Sequence, residues 1–261
     1  MIASRTAELS WPQGVGLKAL PSVDSTNEEA RRLAEHGEIG PLWIWAQHQT
    51  AGRGRRARAW LSSSEDLTAT LLVRPRILRP EASLGEAATL SFVAALALAD
   101  AIGFVTPKPK ITLKWPNDVL TDGAKAAGIL LEGRTDPKLG DWVAIGVGLN
   151  LVSAPTENEV EAGAWRTAAL SQYGAPPAPD DALRILAFFF DQRLQRWRNE
   201  GFAGLRTDWL ARAARLGDAI EARLPNETIS GRFTDVDADG ALVLETSRGS
   251  RRIAAADIYF P

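Results

Sequence analysis

Apolar positions along this chain switch between two spacings, and the switches mark its elements. A helix opens at Asp24-Ser25-Thr26-Asn27-Glu28, where Ser25 and Glu28 have capping-box spacing. It runs through Ala30, Leu33 and Ala34 to a stop at Gly37. Residues 42–47 read as a short strand and residues 67–73 as a second, ended by Pro75. Ser83 and Glu86 repeat the capping spacing before a long helix that would bury Leu84, Ala88, Phe92, Ala95 and Ala99 on one face. Strands are predicted over 111–115 and at Val119-Leu120, then over 125–132 and 142–151, with Thr121-Asp122-Gly123-Ala124 as a hairpin turn. Residues 154–180, rich in Pro, Ala and Gly, read as an irregular surface crossing. Helical spacing returns from Asp180 through Leu183, Leu186, Ala187, Phe190 and Leu194 to about Arg215, with Phe188-Phe189-Phe190 as core. After Leu216-Gly217-Asp218, four short alternating runs predict a small β-barrel.

Composition narrows the function. The 261 residues, 45% of them hydrophobic, supply core enough for one large domain, over 1–213, and a small one over 214–261. With no cysteine, disulfides and thiolate metal sites are excluded, and His36 and His48 are too few for a histidine metal centre. The formal charge of -2 confines any anion-binding surface to a local patch and argues against a nucleic-acid partner. The N-terminus has no signal-peptide pattern, and the uncharged apolar stretch between Glu86 and Asp100 is shorter than the ~20 residues of a membrane span. A cytoplasmic protein without a membrane partner is therefore expected.

The densest chemical signal is Gln49-Thr50-Ala51-Gly52-Arg53-Gly54-Arg55-Arg56-Ala57-Arg58-Ala59-Trp60. Glycines let backbone approach a ligand, and guanidinium forks match phosphate and carboxylate oxygens. The alternative is a solvated basic loop. Lys114-Trp115-Pro116-Asn117-Asp118 puts a lysine, an amide and a carboxylate at a strand end, or merely turns the chain. Lys125 stands at the mouth of an apolar strand, where a solvated lysine is the common case. Gly146-Val147-Gly148-Leu149-Asn150 places two glycines in a strand, for ligand approach or for packing. No serine–histidine–acid set, cysteine–histidine set or Walker loop can be assembled.

Taken in order, Ser25-Thr26-Asn27, the arginine run, Lys114 to Asp118, Lys125 to Glu132 and Gly146 to Asn150 resemble the biotin protein ligases. The resemblance covers roughly residues 20–155, and the C-terminal β-unit matches the family's closing domain in pattern. It implies an α+β fold: a mixed sheet with packed helices, like class II aminoacyl-tRNA synthetases, plus a C-terminal SH3-like β-barrel. The activity it implies joins biotin to ATP as biotinyl-5′-adenylate and passes biotin to a lysine of a biotin carboxyl carrier protein or carrier domain.

By the same resemblance, Ser25, Thr26 and Gln49 would bind the ureido head, while Gly52, Arg53, Gly146 and Gly148 shape the biotin pocket. Arg55 would hold the carboxylate and α-phosphate, and Arg56 and Arg58 the departing pyrophosphate. Lys125 would be the central catalytic residue. Lys114, Asn117 and Asn150 would serve ATP, with Mg2+ held mainly by the phosphates rather than by protein ligands. Asp118 is either a base for the acceptor amine or a fixed partner of a motif cation. Trp60 would pack the loop down, and Trp165 is the nearby aromatic candidate to cover adenine. The like-charged loop should repel itself until ligand arrives, and Ala57, where the family usually has glycine, should stiffen it. Twenty-three residues before Asp24 are too few for a helix-turn-helix, so no DNA-binding function is expected. A homodimer fits the family. Lipoate-type ligation and a non-catalytic carrier-binding homologue remain as alternatives.

Overall fold

The computed structural model describes residues 6, 8–156, 158–160 and 165–259, the side chains of residues 57 and 259 excepted. Seven strands form one mixed sheet: β1 (Gly16–Leu20), β2 (Leu42–Ala46), β3 (Leu67–Val73), β4 (Ile111–Lys114), β5 (Asp118–Thr121), β6 (Ala124–Asp136) and β7 (Gly140–Leu149). Their spatial order is β1-β2-β3-β7-β6-β5-β4. Only the β1–β2 pair among these is parallel, and its crossover is helix α1 (Thr26–Glu35). The pattern of apolar residues did not reveal β1, where Lys18 and three exposed positions interrupt the strand signal.

Period-2 alternation sorts the central strands onto two faces. On one face Leu67, Ala69, Leu71 and Val73 of β3 join Val143, Ile145 and Val147 of β7 and Ile129 of β6 in the main core. Helices α4 (Leu90–Val105) and α5 (Pro179–Glu200) cover that face. On the other, α1 packs Ala30 and Ala34 against Ile44, Leu72, Trp142 and Ala144. Farther along this second face the strands carry Thr70, Gly146 and Leu130 in one register row, and Thr68, Gly148 and Gly128 in the next. Small and polar residues there leave room above the sheet.

Two long helices expected from the sequence are each divided. Helix α2 (Pro75–Leu78) leads to α3 (Leu84–Ala87), which is separated from α4 at Ala88-Thr89. Thr89 Oγ1 donates to the Glu86 carbonyl and accepts from Trp197 Nε1, fixing the break. The 84–105 segment is long and apolar enough to cross a membrane, contrary to the reading of its sequence, but two-thirds of its apolar 18-residue stretch is buried within the protein. Helix α5 ends at Gly201, whose φ of 64° favours glycine, and α6 (Ala203–Ala211) follows. Of the three consecutive phenylalanines only Phe190 is fully buried; Phe188 and Phe189 are half-buried.

The C-terminal strands form a separate antiparallel sheet in the order β11-β10-β9-β8-β12. They are β8 (Ala219–Arg223), β9 (Thr228–Val236), β10 (Leu242–Thr246), β11 (Gly249–Ile253) and β12 (Asp257–Tyr259). β12 was not evident from the sequence, being three residues long. Trp115 Nε1 donates to the Gly240 carbonyl, and Arg206 pairs with Asp235, so this sheet docks against the large one through named polar contacts. The mixed sheet with its helices and the added antiparallel sheet agree with the α+β architecture inferred from sequence.

Candidate active site

The space above the Thr70 and Thr68 rows is a cavity of about 440 Å3. Residues from the α1 N-terminus, the arginine loop, the β4–β5 turn, β6, β7 and the approach to β12 line it. All the site residues predicted from sequence face it except Gly52 and Arg56. Lys125 and Arg55, far apart along the chain, share this one hollow.

Its charged end is built on the β4–β5–β6 meander. Lys114 and Asp118 are register partners across β4 and β5, and Asp118 is opposite Gly128 of β6. Asp118 Oδ1 lies 2.7 Å from Lys125 Nζ, and Oδ2 lies 3.6 Å from Lys114 Nζ. Burial alone would push the Asp118 carboxyl up, but Lys125, Lys114 and Arg55 together hold it below the ordinary carboxylate range. Burial also lowers the Lys114 ammonium, against the opposing pull of Asp118. Lys114 is only 8% exposed, so it is not a solvated strand-end lysine. Lys125 is fixed through its backbone: its N–H donates to the Arg166 carbonyl and its carbonyl accepts from Ala168 N–H. Asn117 Nδ2 donates to the Ile129 carbonyl at 2.6 Å, and Asn150 Nδ2 to that of Ala168 at 3.0 Å. Both asparagines thus direct amide hydrogens at backbone, which organises the strand ends beside the lysines.

The other end is lined mainly by neutral polar groups, with the Arg53–Glu132 pair at its edge. Ser25 is the N-cap of α1, although its hydroxyl makes no capping bond. Gln49 Oε1 accepts from both Thr26 N–H and Thr26 Oγ1, at 2.7 and 3.1 Å. Since the Thr26 N–H can only donate, the Gln49 oxygen is assigned and its Nε2 is left for other contacts. Asn27 Nδ2 donates to the Leu130 carbonyl and to Glu132, while Thr70 Oγ1 contacts Asn27 Oδ1 at 2.7 Å and Thr26 Oγ1 at 2.8 Å. A Cβ on Gly146 would overlap Asn27, so that glycine makes room for a side chain of the protein itself. A Cβ on Gly148 would overlap the Trp60 indole, which also crowds Gly128. The two glycines are therefore explained first by packing, and by ligand approach only where Asn27 and Trp60 leave space. Trp60 lines the cavity with its ring 5.6 Å from Lys125 Nζ.

Charge on the arginine loop is balanced, which corrects the expectation of a self-repelling segment. Arg53 pairs with Glu28 and Glu132 at 3.1 and 3.4 Å. Arg56 and Arg58 both reach Asp257 of β12 at 2.6 Å. Arg55 points inward to two neutral acceptors, Asn117 Oδ1 and the Ala256 carbonyl. Burial lowers its guanidinium, partly offset by Asp257 and Asp118. Backbone bonds from Gly54 N–H to the Arg58 carbonyl and from Trp60 N–H to the Gly52 carbonyl close the loop as a small hairpin. A Cβ on Gly52 would meet the Trp60 carbonyl and Gln49 Nε2, so Gly52 serves loop closure outside the cavity wall. The left-handed residue of the loop is Arg56, with φ 55°; the side chain of Ala57 lies outside the described residues. Trp165 also lines the cavity, with Lys114 Nζ 5.5 Å from its ring.

Thr70, Glu132 and Asp257 were not singled out from the sequence. Thr70 and Glu132 sit inside apolar strands, where only strand register reveals the shared face. Asp257 is about two hundred residues from its partners, and no local spacing links them. Among the described residues no group of three His, Cys, Asp or Glu could hold a metal ion.

Residues 57–211 match the biotin/lipoate A/B protein ligase family, and residues 216–260 match the biotin protein ligase C-terminal domain. A Paracoccus denitrificans biotin–[acetyl-CoA-carboxylase] ligase is 42% identical over 243 residues, covering 92% of this chain and 99% of that one. A Bacillus subtilis bifunctional ligase/repressor is 30% identical, covering 90% of this chain and 71% of that protein. Among solved structures, a biotin protein ligase from Aquifex aeolicus in complex with biotin and ATP aligns with a TM-score of 0.77 at 25% identity, over 94% of this chain and 98% of that one.

Proposed function

The chain belongs to the biotin/lipoate A/B protein ligase family, and on that footing we propose that it is an ATP-dependent biotin–[acetyl-CoA-carboxylase] ligase. Lys125, Lys114 and Arg55 share one cavity with a hydrogen-bonding head of mainly neutral polar groups, and this juxtaposition carries the reading. A carboxylate and a triphosphate repel one another, so the reaction needs fixed cations where they meet. A carboxylate oxygen of biotin attacks the α-phosphorus, the bond from that phosphorus to the bridging oxygen breaks, and pyrophosphate leaves. Lys125 and Arg55 neutralise the charge that gathers at the α-phosphoryl oxygens. Asp118 keeps both lysines charged and oriented.

In the second half-reaction the neutral amine of a carrier lysine attacks the acyl carbon, the acyl–oxygen bond breaks, AMP departs, and the proton lost by the amine nitrogen passes to the leaving phosphate or to solvent. Asp118 is proposed to act there through Lys125 rather than as the base, because its Oδ1 already engages that ammonium. Mg2+ would enter on the ATP phosphates beside Asn117 and Asn150, where it supplies additional charge neutralisation. The domain division is proposed to follow the two sheets, with the catalytic domain over 1–213 and the C-terminal domain over 214–261.

Lipoate is the competing substrate. A lipoyl ring offers no N–H or carbonyl, whereas Gln49 lines this cavity with an Nε2 donor that Thr26 does not engage and that such a ring could not pair. The test is ATP–pyrophosphate exchange with biotin and with lipoate in parallel, followed by transfer to a purified carrier domain. Biotin-dependent exchange and carrier labelling are expected. Exchange driven by lipoate alone would overturn the assignment.

A further inference from the structure

One buried carboxylate outside the cavity ties two parts of its wall together. Asp66 is 2% exposed and stands just before β3. Its Oδ1 accepts the N–H groups of Leu151, Val152 and Ser153 at 2.9, 3.0 and 3.2 Å. Successive N–H groups of an extended strand point to opposite sides. Three consecutive ones on a single oxygen therefore form a concave bend, and β7 ends there. Asp66 Oδ2 accepts from Ser63 N–H, Ser63 Oγ and Ser153 Oγ at 2.9, 2.8 and 2.6 Å. Burial alone would push this carboxyl up, but the bonds from Ser153, Ser63 and Val152 hold it below the ordinary range. Ser63 follows Trp60 on the exit of the arginine loop. The entrance of that loop is fixed by Thr50 N–H to the Val23 carbonyl and by Ala51 N–H to the Asp24 carbonyl. On the exit side Leu61, Ser62 and Ser64 make no hydrogen bond among the described residues, so Ser63 on Asp66 is the tie.

We infer that Asp66 is a positioning residue, which pins the exit of the arginine loop to the end of β7 and so holds Trp60 in the cavity wall. The inference rests on the reading above, in which this cavity encloses an acyl-adenylate. Trp60 belongs to the loop, yet its indole packs over Gly128 of β6 and Gly148 of β7. A tie from the loop exit to the end of β7 fixes the loop against the strand on which the ring lies. Asp66 does not line the cavity and acts through Trp60. An amide cannot replace this carboxylate. One orientation of asparagine would turn NH2 toward the N–H groups of residues 151–153, the other toward Ser63 N–H, and none of these can accept. The second orientation opposes fewer donors, so Asp66→Asn keeps the bend after β7 and releases the loop exit.

The test is the release rate of preformed biotinyl-adenylate, chased with unlabelled ligand, in wild type, Asp66→Asn, Trp60→Ala and the Asp66→Asn/Trp60→Ala pair, with urea unfolding alongside. Asp66→Asn should release adenylate about ten-fold faster, the size of one mispaired buried donor. Trp60→Ala should also release it faster, and Asp66→Asn should add nothing once Trp60 is alanine. A lower urea midpoint with wild-type release marks a purely structural knot and overturns the inference. An undiminished acceleration beside Trp60→Ala overturns it too, and both results leave biotin ligation intact. A wild-type chain that forms no adenylate overturns the inference and the reading beneath it. Where Asp66→Asn does not fold, Ser63→Ala decides, since it deletes only the hydroxyl on the loop side. Release about two- to three-fold faster is then expected, and an unchanged rate overturns the inference.

Discussion

Asp118 Oδ1 stands 2.7 Å from Lys125 Nζ while its other oxygen faces Lys114, so a single buried carboxylate holds two ammonium groups at the centre of the cavity. Removing one member of such a set leaves uncompensated charge in a dry place, which costs about 3–5 kcal/mol for a fully buried pair. Asp118→Asn should therefore lower stability by roughly 3 kcal/mol, read as a lower urea midpoint. Adenylation should fall much further than transfer from supplied adenylate. Equal loss in the two half-reactions would instead favour a proton-accepting role.

The same pair sets a pH dependence. Lys114 is charged below its pKa, and burial places that pKa below the ordinary 10.5, so a rate that needs its charge is lost as pH rises through the lowered value. Asp118, held below 3.8, stays ionised throughout the neutral range and contributes no inflection there. Single-turnover adenylation measured against pH should show an alkaline limb earlier than an ordinary lysine would give. Asp118→Asn, which removes the stabilising anion, should move that limb to still lower pH.

Lys125→Ala should reduce adenylation by about a hundred- to a thousand-fold, the range seen when one preorganised charge-stabilising group is deleted. Biotin affinity should change less than the rate, because the hydrogen-bonding head of the cavity is untouched. Rapid-quench assays of adenylate formation, with binding measured separately, check this.

Gly148→Ala would drive a methyl group into the Trp60 indole. Overpacking of this kind costs about 1–3 kcal/mol. The loss should shrink when Trp60 is replaced by alanine, since the two positions share one space. A double-mutant cycle on urea unfolding measures the coupling.

Asp257→Asn would release Arg56 and Arg58 from β12. These arginines are half-exposed, so global stability should drop by less than about 1 kcal/mol. The freed loop offers arginyl bonds, and limited trypsin digestion should nick it several-fold faster than in the wild type. Unchanged digestion would mean that Asp257 does not restrain the loop.

The elements were legible in the sequence where one period dominated: α1, the Asp122-Gly123 turn and the β6 and β7 runs all came from spacing and turn residues. The motif cations were also legible, because Lys114, Lys125 and the arginine run are local signals. What escaped was pairing across distance. Glu28, Glu132 and Asp257 are ordinary surface carboxylates until the fold brings arginines to them. Thr70 looks like one more β-branched residue in a buried strand until register sets it beside Gly146 and Asn27. The glycines misled in one respect: their missing side chains read as space for a ligand, whereas Asn27 and Trp60 claim much of it.

The arginine loop is tied at its root by Glu28 and Glu132 and at its tip by Asp257. Opening it is thus an exchange of counter-ions rather than the melting of a disordered flap. Mobile chloride and sodium compete for the same groups, and the Debye length shrinks from ~10 Å at 0.1 M to ~3 Å at 1 M salt. Concentrated salt should accordingly hasten ligand entry and shorten the residence of whatever the loop encloses.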